Sequence, residues 1–281
     1  MYLKEVKNIY VKELGHIYSD DESKTILNYI LIDALGIPKL NILSQPELTL
    51  NENQKERVLS FLPDLIKGIP IQHLLGVAHF YGMMLKVSPE VLIPRQETEE
   101  LVDWIIKDSH GLQNLRILDV CTGSGCIALA LKKHMRDFEI TAIDVSEKAL
   151  NIARENAANL NLDVNFIKAD ALRMEHEIPD DYFDIIVSNP PYIPESDKDN
   201  VQRGVWMYEP HSALFVPDEK PLTFYEAIGK FAYNAKPITL YFEINADLGE
   251  NLIDLMKKLG FKDITLKRDL NGRNRMLKCK A

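Results

Sequence analysis

From about residue 114 onward, the sequence alternates between short apolar runs and longer amphipathic segments. The predicted strands are Leu115–Val120, Glu139–Ile143, Val164–Ile167, Phe183–Val187, Thr239–Glu243 and Ile264–Lys267. The predicted helices are Cys126–His134, Glu147–Leu160, Leu222–Ala235 and Leu248–Leu259. Neighbouring parallel strands need a crossover connection, which a helix supplies. The alternation therefore predicts an α/β fold, a doubly wound sheet that binds ligands at the carboxyl ends of its strands.

The region before this alternation has a different pattern. Apolar residues recur at helical spacing in two stretches, which end at the breakers Gly36-Ile37-Pro38 and Gly68-Ile69-Pro70. A small helical bundle is expected over residues 1–75. Two β-like runs then flank a Ser-Pro turn, at Ala78–Val87 and Val91–Ile93. They predict a β-hairpin linker over 76–94, with the α/β domain over 95–281.

Composition excludes several classes of protein. The 281 residues carry a net charge of -9, which argues against binding along a nucleic-acid backbone, since such binding depends on cationic side chains. No apolar run reaches the length of a membrane span, and the first residues lack the apolar core of a signal peptide. Three cysteines cannot all pair, and such sparse cysteine suits a reducing compartment. A cytoplasmic protein without a membrane partner is expected.

A glycine-rich turn follows the first strand of the α/β region. It runs Thr122-Gly123-Ser124-Gly125 and opens an apolar-faced helix. Glycines here let the backbone approach a ligand beside a helix N-terminus. Taken alone, the turn fits a plain strand-to-helix connection as well as a binding site. It is also a weak match to the dinucleotide pattern, because Ala128 stands at the third glycine position.

Two aspartates follow the next two strands. Asp144 ends the second strand, where a carboxylate can accept hydrogen bonds from ribose hydroxyls, and Asp170 follows the third and could face a nucleoside base. Each alone fits a solvated loop carboxylate or a helix cap. Together with the glycine turn they predict a nucleoside pocket with no clear diphosphate site.

The fourth strand runs into the tetrapeptide Asn189-Pro190-Pro191-Tyr192. Its prolines remove two backbone donors and prevent a helix from starting there. With the glycine turn and the two aspartates, this tetrapeptide resembles the class I S-adenosylmethionine-dependent methyltransferases, whose Rossmann-like sheet matches the predicted fold. Within that group, (Asp/Asn/Ser)-Pro-Pro-(Tyr/Phe) marks enzymes that methylate a nitrogen conjugated to a π-system. The alternative is an ordinary loop-forming turn.

The resemblance implies roles for these residues. Asn189 Oδ1 and the Pro190 carbonyl would each accept one N–H of the target nitrogen, which orients it for methyl transfer. Pro191 would keep the carbonyl in place, and Tyr192 would offer a flat face to a planar substrate group. The implied catalytic residues are thus Asn189, Pro190 and Tyr192, with Pro191 and Arg95 added for substrate binding. The implied cofactor-binding residues are Thr122, Gly123, Ser124, Gly125, Asp144, Asp170 and Asn189, and no metal is expected.

Further blocks narrow the resemblance to one family. The stretches "GIPIQHLLGVAHFYGMMLKVSPEVLIPRQETEELVDW", "SNPPYIP", "YEPHSALF", "FEINADLGENL" and "DLNGRNRML" occur in the order and spacing of the HemK/PrmC protein-(glutamine-N5) methyltransferases. The resemblance implies S-adenosylmethionine as cofactor, with S-adenosylhomocysteine as product. It also implies the glutamine of a Gly-Gly-Gln loop in class-one peptide chain release factors as target, docked by the helical domain and linker.

Some positions depart from the family pattern, and some roles stay open. Cys121 stands where many members have glycine, and Gln96-Glu97 replaces the commoner Pro-Asp. Arg95 is expected either to hold the peptide backbone or to pair with Glu97 or Glu99.

Three other classes of function compete with this interpretation. An adenine-N6 methyltransferase would share the site chemistry, but it predicts a basic recognition domain, which the acidic balance argues against. We therefore expect no direct sequence-specific binding of nucleic acid. A non-catalytic binding protein should have lost part of the intact glycine turn or tetrapeptide. A dinucleotide-dependent dehydrogenase is the remaining alternative.

Overall fold

The structure is a computed structural model that describes residues 1–45, 47–178, 183–234 and 238–281. Its chain folds as two units. The N-terminal unit comprises Met1–Val77 and Gln202–Tyr208, and the C-terminal unit comprises Ala78–Val201 and Glu209–Ala281. The chain therefore leaves the C-terminal unit once, for seven residues, to complete the N-terminal one.

Helices are distributed over both units. They are α1 Leu3–Leu14, α2 Asp20–Tyr29, α3 Lys39–Ser44, α4 Glu52–Leu59, α5 Leu62–Ile66, α6 Ile71–Leu75, α7 Gln96–Asp108, α8 Cys126–His134, α9 Glu147–Leu160, α10 Met174–Glu177, α11 Arg203–Tyr208, α12 His211–Leu214, α13 Thr223–Asn234 and α14 Gly249–Leu259. A π-helical turn, Ile30–Ala34, continues α2, and 3-10 turns lie at Glu195–Asn200 and Ala246–Leu248. The predicted end of α13 at Ala235 lies outside the described residues.

Strands belong mainly to the C-terminal unit. They are β1 Val77–Phe80, β2 Met83–Lys86, β3 Arg116–Val120, β4 Glu139–Asp144, β5 Asn165–Lys168, β6 Ile185–Ser188, β7 Ile193–Pro194, β8 Phe215–Val216, β9 Thr239–Glu243, β10 Lys262–Arg268 and β11 Asn274–Lys280.

The N-terminal unit is helical, as its apolar spacing predicts. Leu3, Val6, Tyr10 and Leu14 recur every three or four residues on α1 and are fully or almost fully buried. Inside this cluster the Tyr10 hydroxyl donates to the Val58 carbonyl at 2.7 Å. Capping boxes start α2 at Ser19 and α4 at Asn51. The sequence therefore specifies these helix starts locally and the core by periodicity.

A central sheet organises the C-terminal unit. Among the described residues, seven strands form it in the order β10-β11-β9-β6-β3-β4-β5. The run β9-β6-β3-β4-β5 is parallel, and β11 lies antiparallel between β9 and β10. This arrangement confirms the predicted α/β doubly wound fold. The inserted antiparallel β11 distinguishes it from the dinucleotide-binding strand order 3-2-1-4-5-6.

Both faces of this sheet are covered. Ile117 and Ile185 pack in one apolar cluster, whereas Leu118 and Ile186 pack in another, because successive side chains of a strand point to opposite faces. All four side chains are buried. Strands buried on both faces read as continuous apolar runs, which is why β3 and β6 are recognisable in the sequence.

The hairpin lies earlier than predicted. Its strands are β1 and β2, joined by Tyr81 and Gly82, which have positive φ angles of 45° and 69°. Two such residues match the twist of a two-residue hairpin, and a Ser-Pro turn does not. The predicted strand Val91–Ile93 is wrong. Val91 and Ile93 are buried because they pack with Ala149 and Ile152 of α9.

In the described part of the chain, no helix combines the length and apolarity that crossing a bilayer demands.

Candidate active site

The carboxyl ends of four adjacent parallel strands form one edge of the C-terminal unit. From β5 across β4 and β3 to β6, these ends carry Asp170, Asp144, the glycine turn and Asn189. Register pairs Val120 with both Ile143 and Ser188, so the three neighbouring strands end level with one another. The strand order reverses between β3 and β6, which is where α/β sheets open a ligand crevice. The structure thus brings the predicted nucleoside pocket and the tetrapeptide together.

Backbone geometry explains the glycines of the turn. Gly123 has a φ of 55° and Gly125 one of 82°, both in the left-handed region that favours glycine. A Cβ on Gly125 would also lie 3.1 Å from the Cβ of Ala153 on α9. Gly123 donates its N–H to Asp144 Oδ2 at 2.9 Å. The turn is therefore held against the end of β4.

Asp119, on β3, also holds the glycine turn in place through hydrogen bonds. It is fully buried, and its Oδ2 accepts hydrogen bonds from Thr122 Oγ1 at 2.6 Å and from the Ala128 N–H at 3.2 Å. Burial raises the pKa of this carboxyl to about 7, although both hydrogen bonds oppose the rise. The sequence analysis assigned Asp119 no role. Its position near the end of a buried strand, three residues before the turn sequence begins, was the available signal.

The predicted cofactor residues of the turn differ in exposure. Thr122 and Ser124 are buried, and the Thr122 hydroxyl is directed to Asp119. Asn156 Nδ2 donates to the Ser124 carbonyl at 3.0 Å, which ties the turn to α9. These side chains therefore shape the turn, and its backbone is what lines the strand edge.

The two aspartates after β4 and β5 also hold local backbone. Asp144 accepts from the Ser146 N–H at 2.9 Å in addition to Gly123, and burial raises its pKa. Asp170 accepts from the Leu172 N–H at 2.9 Å. The N–H of Ala169 donates to the Asp144 carbonyl, which joins the two strand ends. Both carboxylates therefore lie on one continuous stretch of the edge.

Cys121 occupies a strained position at the start of the turn. Its φ is 62°, which costs a residue with a side chain about 1–2 kcal/mol relative to glycine. Glycine at this position would avoid that cost. Burial, followed by the charges of Asp144 and Asp119, raises the pKa of the Cys121 thiol.

The tetrapeptide after β6 is anchored at both ends. Ser188, the last residue of β6, donates its hydroxyl to the Val120 carbonyl at 2.7 Å. Pro190 and Pro191 are buried, whereas Asn189 and Tyr192 are half-buried. The Tyr192 hydroxyl donates to Glu243 Oε1 at 3.3 Å, and Asn245 Nδ2 donates to the Tyr192 carbonyl at 3.3 Å. The four residues are thus held across the ends of β6 and β9.

Two buried polar residues contact this tetrapeptide, and the sequence analysis gave neither a role. Thr98 on α7 donates to Glu243 Oε2 at 2.6 Å and accepts from Asn189 Nδ2 at 3.3 Å. Glu243 is 1% exposed. Burial raises the pKa of its carboxyl, against the lowering effect of the Thr98 hydrogen bond and the Arg275 charge. Both residues lie in sequence blocks that carried the family resemblance, which was the only available signal.

Arg95 pairs with a partner that the sequence analysis did not anticipate. Its Nη2 donates to Glu209 Oε1 at 2.5 Å, so the expected pairing with Glu97 or Glu99 is wrong. The Glu209 side chain is 1% exposed and its Oε2 accepts from the Ile93 N–H at 2.9 Å. Glu209, although distant in sequence, is the partner because it is buried and also binds the backbone N–H of Ile93, two residues before Arg95.

No group of three or more potential metal ligands occurs within the ranges that the structure describes. Cys121, Cys126 and Cys279 are all free thiols.

Comparison with known proteins identifies the family. One family model, described as the PrmC N-terminal domain, matches residues 10–76, and another, described as a methyltransferase domain, matches residues 117–206. The chain is 40% identical over 284 residues to the release factor glutamine methyltransferase of Flavobacterium psychrophilum, with 99% of each chain covered. The chain belongs to this family. The corresponding enzyme of Bacteroides thetaiotaomicron is 39% identical over 95% of this chain and 96% of its own.

Solved structures agree on the fold of this family member. The catalytic domain of hMettl16, solved with the MAT2A 3′UTR hairpin 6, has a TM-score of 0.54 at 16% identity, over 83% of this chain and 83% of its own. Such a likeness concerns the fold alone. Together with the strand order, it confirms the class I methyltransferase fold that the sequence predicts.

The buried carboxyl of Asp119 predicts a specific pH dependence of stability. Its pKa is about 7 in the folded chain and ordinarily 3.8, so between these values the folded state holds a proton that the unfolded state has lost. Stability is therefore lost as pH rises through this window. Relative to Asp119→Asn, the wild type should lose up to about 4 kcal/mol between pH 4 and pH 8. Urea unfolding of the protein without cofactor measures this, with the exposed Asp163→Asn as control; a difference that stays constant with pH would contradict it.

The Glu209 pair predicts a large effect on stability. Glu209→Ala leaves the buried Ile93 N–H and the Arg95 guanidinium without their acceptor, which should cost about 2–4 kcal/mol. Glu209→Gln should cost less, because its amide oxygen still accepts one hydrogen bond. In the exposed pair Lys148–Glu90, Glu90→Ala should cost less than about 1 kcal/mol. Urea unfolding of the three variants compares them, and equal losses in Glu209→Ala and Glu90→Ala would refute the role of burial.

Proposed function

We propose that this protein transfers a methyl group from S-adenosylmethionine to the side-chain nitrogen N5 of the glutamine in the Gly-Gly-Gln motif of class-one peptide chain release factors. One observation carries the proposal. The tetrapeptide from Asn189 to Tyr192 lies beside the glycine turn at the switch point of the sheet, in a chain that belongs to the release factor glutamine methyltransferase family.

The strand edge fits the cofactor that this reaction requires. Gly123 has no Cβ, and the space that a Cβ would occupy there is open, so its backbone can lie against a ligand. We assign Asp144 to the ribose hydroxyls and Asp170 to the base, since the two carboxylates follow β4 and β5 next to the turn. The backbone of Gly123 and Gly125, together with Thr122 and Ser124, would bind the remaining part of the cofactor. When bound, S-adenosylmethionine supplies a methyl group on a sulfonium centre.

The tetrapeptide would prepare the target nitrogen. An amide nitrogen is a poor nucleophile because its lone pair is delocalised into the carbonyl. Asn189 Oδ1 and the Pro190 carbonyl each accept one of its two hydrogens, which orients the lone pair and favours its localisation. The buried Pro190 and Pro191 hold that carbonyl in place. The nitrogen becomes acidic once it carries the methyl group, so a strong general base is not required.

Substrate contacts outside the tetrapeptide are also proposed. Tyr192 would stack against the planar amide, its hydroxyl held by Glu243. Arg95 is 33% exposed at the side chain, so it keeps a surface for the peptide backbone while paired with Glu209. The N-terminal helical unit would dock the release factor, with residues 76–94 as linker. Residues 95–281 would form the catalytic domain, apart from Gln202–Tyr208, which belong to the N-terminal unit. We also propose a cytoplasmic location, because the cysteines are free thiols and the cytoplasm is a reducing compartment.

The adenine-N6 alternative is not favoured. Its site chemistry would be the same, but the relatives that cover almost the whole chain carry the name release factor glutamine methyltransferase. The chain has a net charge of -9, whereas an enzyme that acts on nucleic acid is expected to have an excess of cationic residues.

Mass spectrometry tests the reaction and the substrate together. Purified class-one release factor is incubated with the protein and S-adenosylmethionine, then digested. A single added methyl group on the Gly-Gly-Gln glutamine is expected. Methyl transfer to adenine in a nucleic-acid control, with none to the release factor, would overturn the assignment. A short Gly-Gly-Gln peptide should show a higher KM than the whole release factor if the N-terminal unit contributes docking.

Asn189 should affect turnover and not cofactor binding. Asn189→Ala removes the acceptor from the reacting nitrogen, so kcat should fall about 100- to 1,000-fold. Affinity for S-adenosylhomocysteine, measured by calorimetry, should change less than about threefold. The exposed Asn165→Ala is the matched control. Unchanged turnover in Asn189→Ala would remove this residue from the chemistry.

Asp144 should show the opposite behaviour. Loss of charge-assisted hydrogen bonds in Asp144→Ala should weaken S-adenosylhomocysteine binding about 10- to 100-fold. Asp144→Asn keeps one carbonyl acceptor and should give an intermediate loss. At saturating S-adenosylmethionine, kcat should stay close to that of the wild type. Calorimetry that shows unaltered affinity in Asp144→Ala would reject the ribose-binding role.

A further inference from the structure

The Asn189 amide can present either its oxygen or its NH2 group to a substrate, and only the oxygen can accept an N–H. We infer that Glu243, acting through the Thr98 hydroxyl, selects the orientation of Asn189 in which Oδ1 faces the target nitrogen. Thr98 and Glu243 are then positioning residues of the methyl-transfer site. The inference rests on the proposed function, because it concerns the group that would bind the reacting amide.

The chain of hydrogen bonds begins at Glu243, the last residue of β9. An ionised carboxylate accepts hydrogen bonds and donates none. Its Oε2 lies 2.6 Å from Thr98 Oγ1, and its Oε1 lies 3.3 Å from the Tyr192 hydroxyl. Both hydroxyls must therefore point their protons at Glu243. The short distance to Thr98 is typical of a charge-assisted O–H···O bond.

The direction of the Thr98 hydroxyl in turn sets the orientation of the Asn189 amide. Since its only proton is donated to Glu243, the Thr98 oxygen is left as an acceptor towards Asn189. The amide group must then place Nδ2 at Thr98, at 3.3 Å, and Oδ1 at its opposite end. Among the described residues, none donates a hydrogen bond to Asn189 Oδ1. The amide oxygen is thus the atom left available at the strand edge.

Burial is the largest influence on the Glu243 carboxyl and raises its pKa, and the charge of Glu97, on α7, acts in the same direction. The hydrogen bond from Thr98, the positive charge of Arg275, on β11, and the hydrogen bond from Tyr192 favour the ionised carboxylate. The Tyr225 hydroxyl on α13 donates to the Glu243 backbone carbonyl at 3.1 Å and so holds the end of β9. Glu243 is 1% exposed, so its hydrogen bonds do not compete with water.

Three separate elements meet in this network. Thr98 is 91 residues from Asn189 and 145 residues from Glu243 along the chain. Through Tyr192, the same carboxylate also holds the far end of the tetrapeptide. One buried charge therefore orients both the hydrogen-bond acceptor and the aromatic face that the substrate amide would meet.

Kinetics on the full-length enzyme test the role of Thr98, with release factor as substrate and saturating S-adenosylmethionine. Thr98→Val keeps the shape but frees the Asn189 amide to rotate, so kcat should fall about 10- to 100-fold with KM changed less than about threefold. Thr98→Ser restores the hydroxyl and should recover kcat to within about threefold of the wild type. Equal losses in Thr98→Val and Thr98→Ser would indicate a packing role and overturn the inference.

A double-mutant cycle tests the connection to Glu243. In Glu243→Gln either the Thr98 or the Tyr192 hydroxyl faces an NH2 group and loses its acceptor. The hydrogen bonds that lead to Asn189 then no longer have a single possible direction. Thr98 and Glu243 act through the same hydrogen bonds, so their effects should not multiply. The kcat of the double variant Thr98→Val/Glu243→Gln should lie within about threefold of the kcat of the slower single variant. Multiplicative losses would overturn the inference. Glu100→Gln, on the same helix α7, is the control for loss of a carboxylate and should keep full activity.

A measurement without turnover separates this inference from the proposed function. In protein labelled with 15N at asparagine, the Asn189 side-chain resonances are identified by their loss in Asn189→Ala. Exchange of its amide protons with solvent should accelerate at least about tenfold in Thr98→Val and return to the wild-type rate in Thr98→Ser. Unchanged exchange in Thr98→Val would overturn the network even if release factor is methylated. Failure of methylation with the expected exchange would refute the proposed substrate alone.

Discussion

The parallel pairing of β3 with β6 is the constraint on which the rest of the site depends. Val120 pairs with Ser188, whose hydroxyl also donates to the Val120 carbonyl from a fully buried position. This pairing joins two segments that are 68 residues apart in the chain. It sets the glycine turn and the tetrapeptide side by side at the point where the strand order reverses. Without it, the glycine turn and the tetrapeptide would not lie side by side.

Two buried carboxylates then give this strand edge its internal order. Asp119 ties the glycine turn to β3, and Glu243 ties the tetrapeptide to α7 and β9. Burial raises the pKa of both groups, so each is retained at a cost in stability at neutral pH. The Thr122 hydroxyl donates to Asp119, and the Thr98 and Tyr192 hydroxyls donate to Glu243, so these side chains have defined directions. Burial of these two carboxyls thus lowers the stability of the fold but orients groups that would contact cofactor and substrate.

Much of the fold could be predicted because its signals are local. Helices Cys126–His134 and Glu147–Leu160 and strand Thr239–Glu243 have the predicted bounds, set by apolar periodicity and by breakers at their ends. Strand β11 was missed because four of the seven residues of "NRMLKCK" are polar, so the segment lacks the continuous apolar run by which the other sheet strands were recognised. It is nevertheless a sheet-interior strand between β9 and β10, and its Met276, Leu277 and Cys279 are fully buried. The hairpin was misplaced because Tyr81, which adopts a positive φ, is not a residue that favours that conformation.

The α/β class, the family resemblance and the residues of the tetrapeptide and glycine turn could be recognised from the amino-acid sequence, since they depend on residue type and on spacing along the chain. Three contacts became known from the folded structure: Arg95 pairs with Glu209, Asp119 holds Thr122 from a buried position, and Thr98 links Asn189 to Glu243. The physical reason is that a hydrogen bond or an ion pair forms between groups that are close in space and excluded from water. Those two conditions are set by how strands and helices pack, and periodicity along a chain does not encode them.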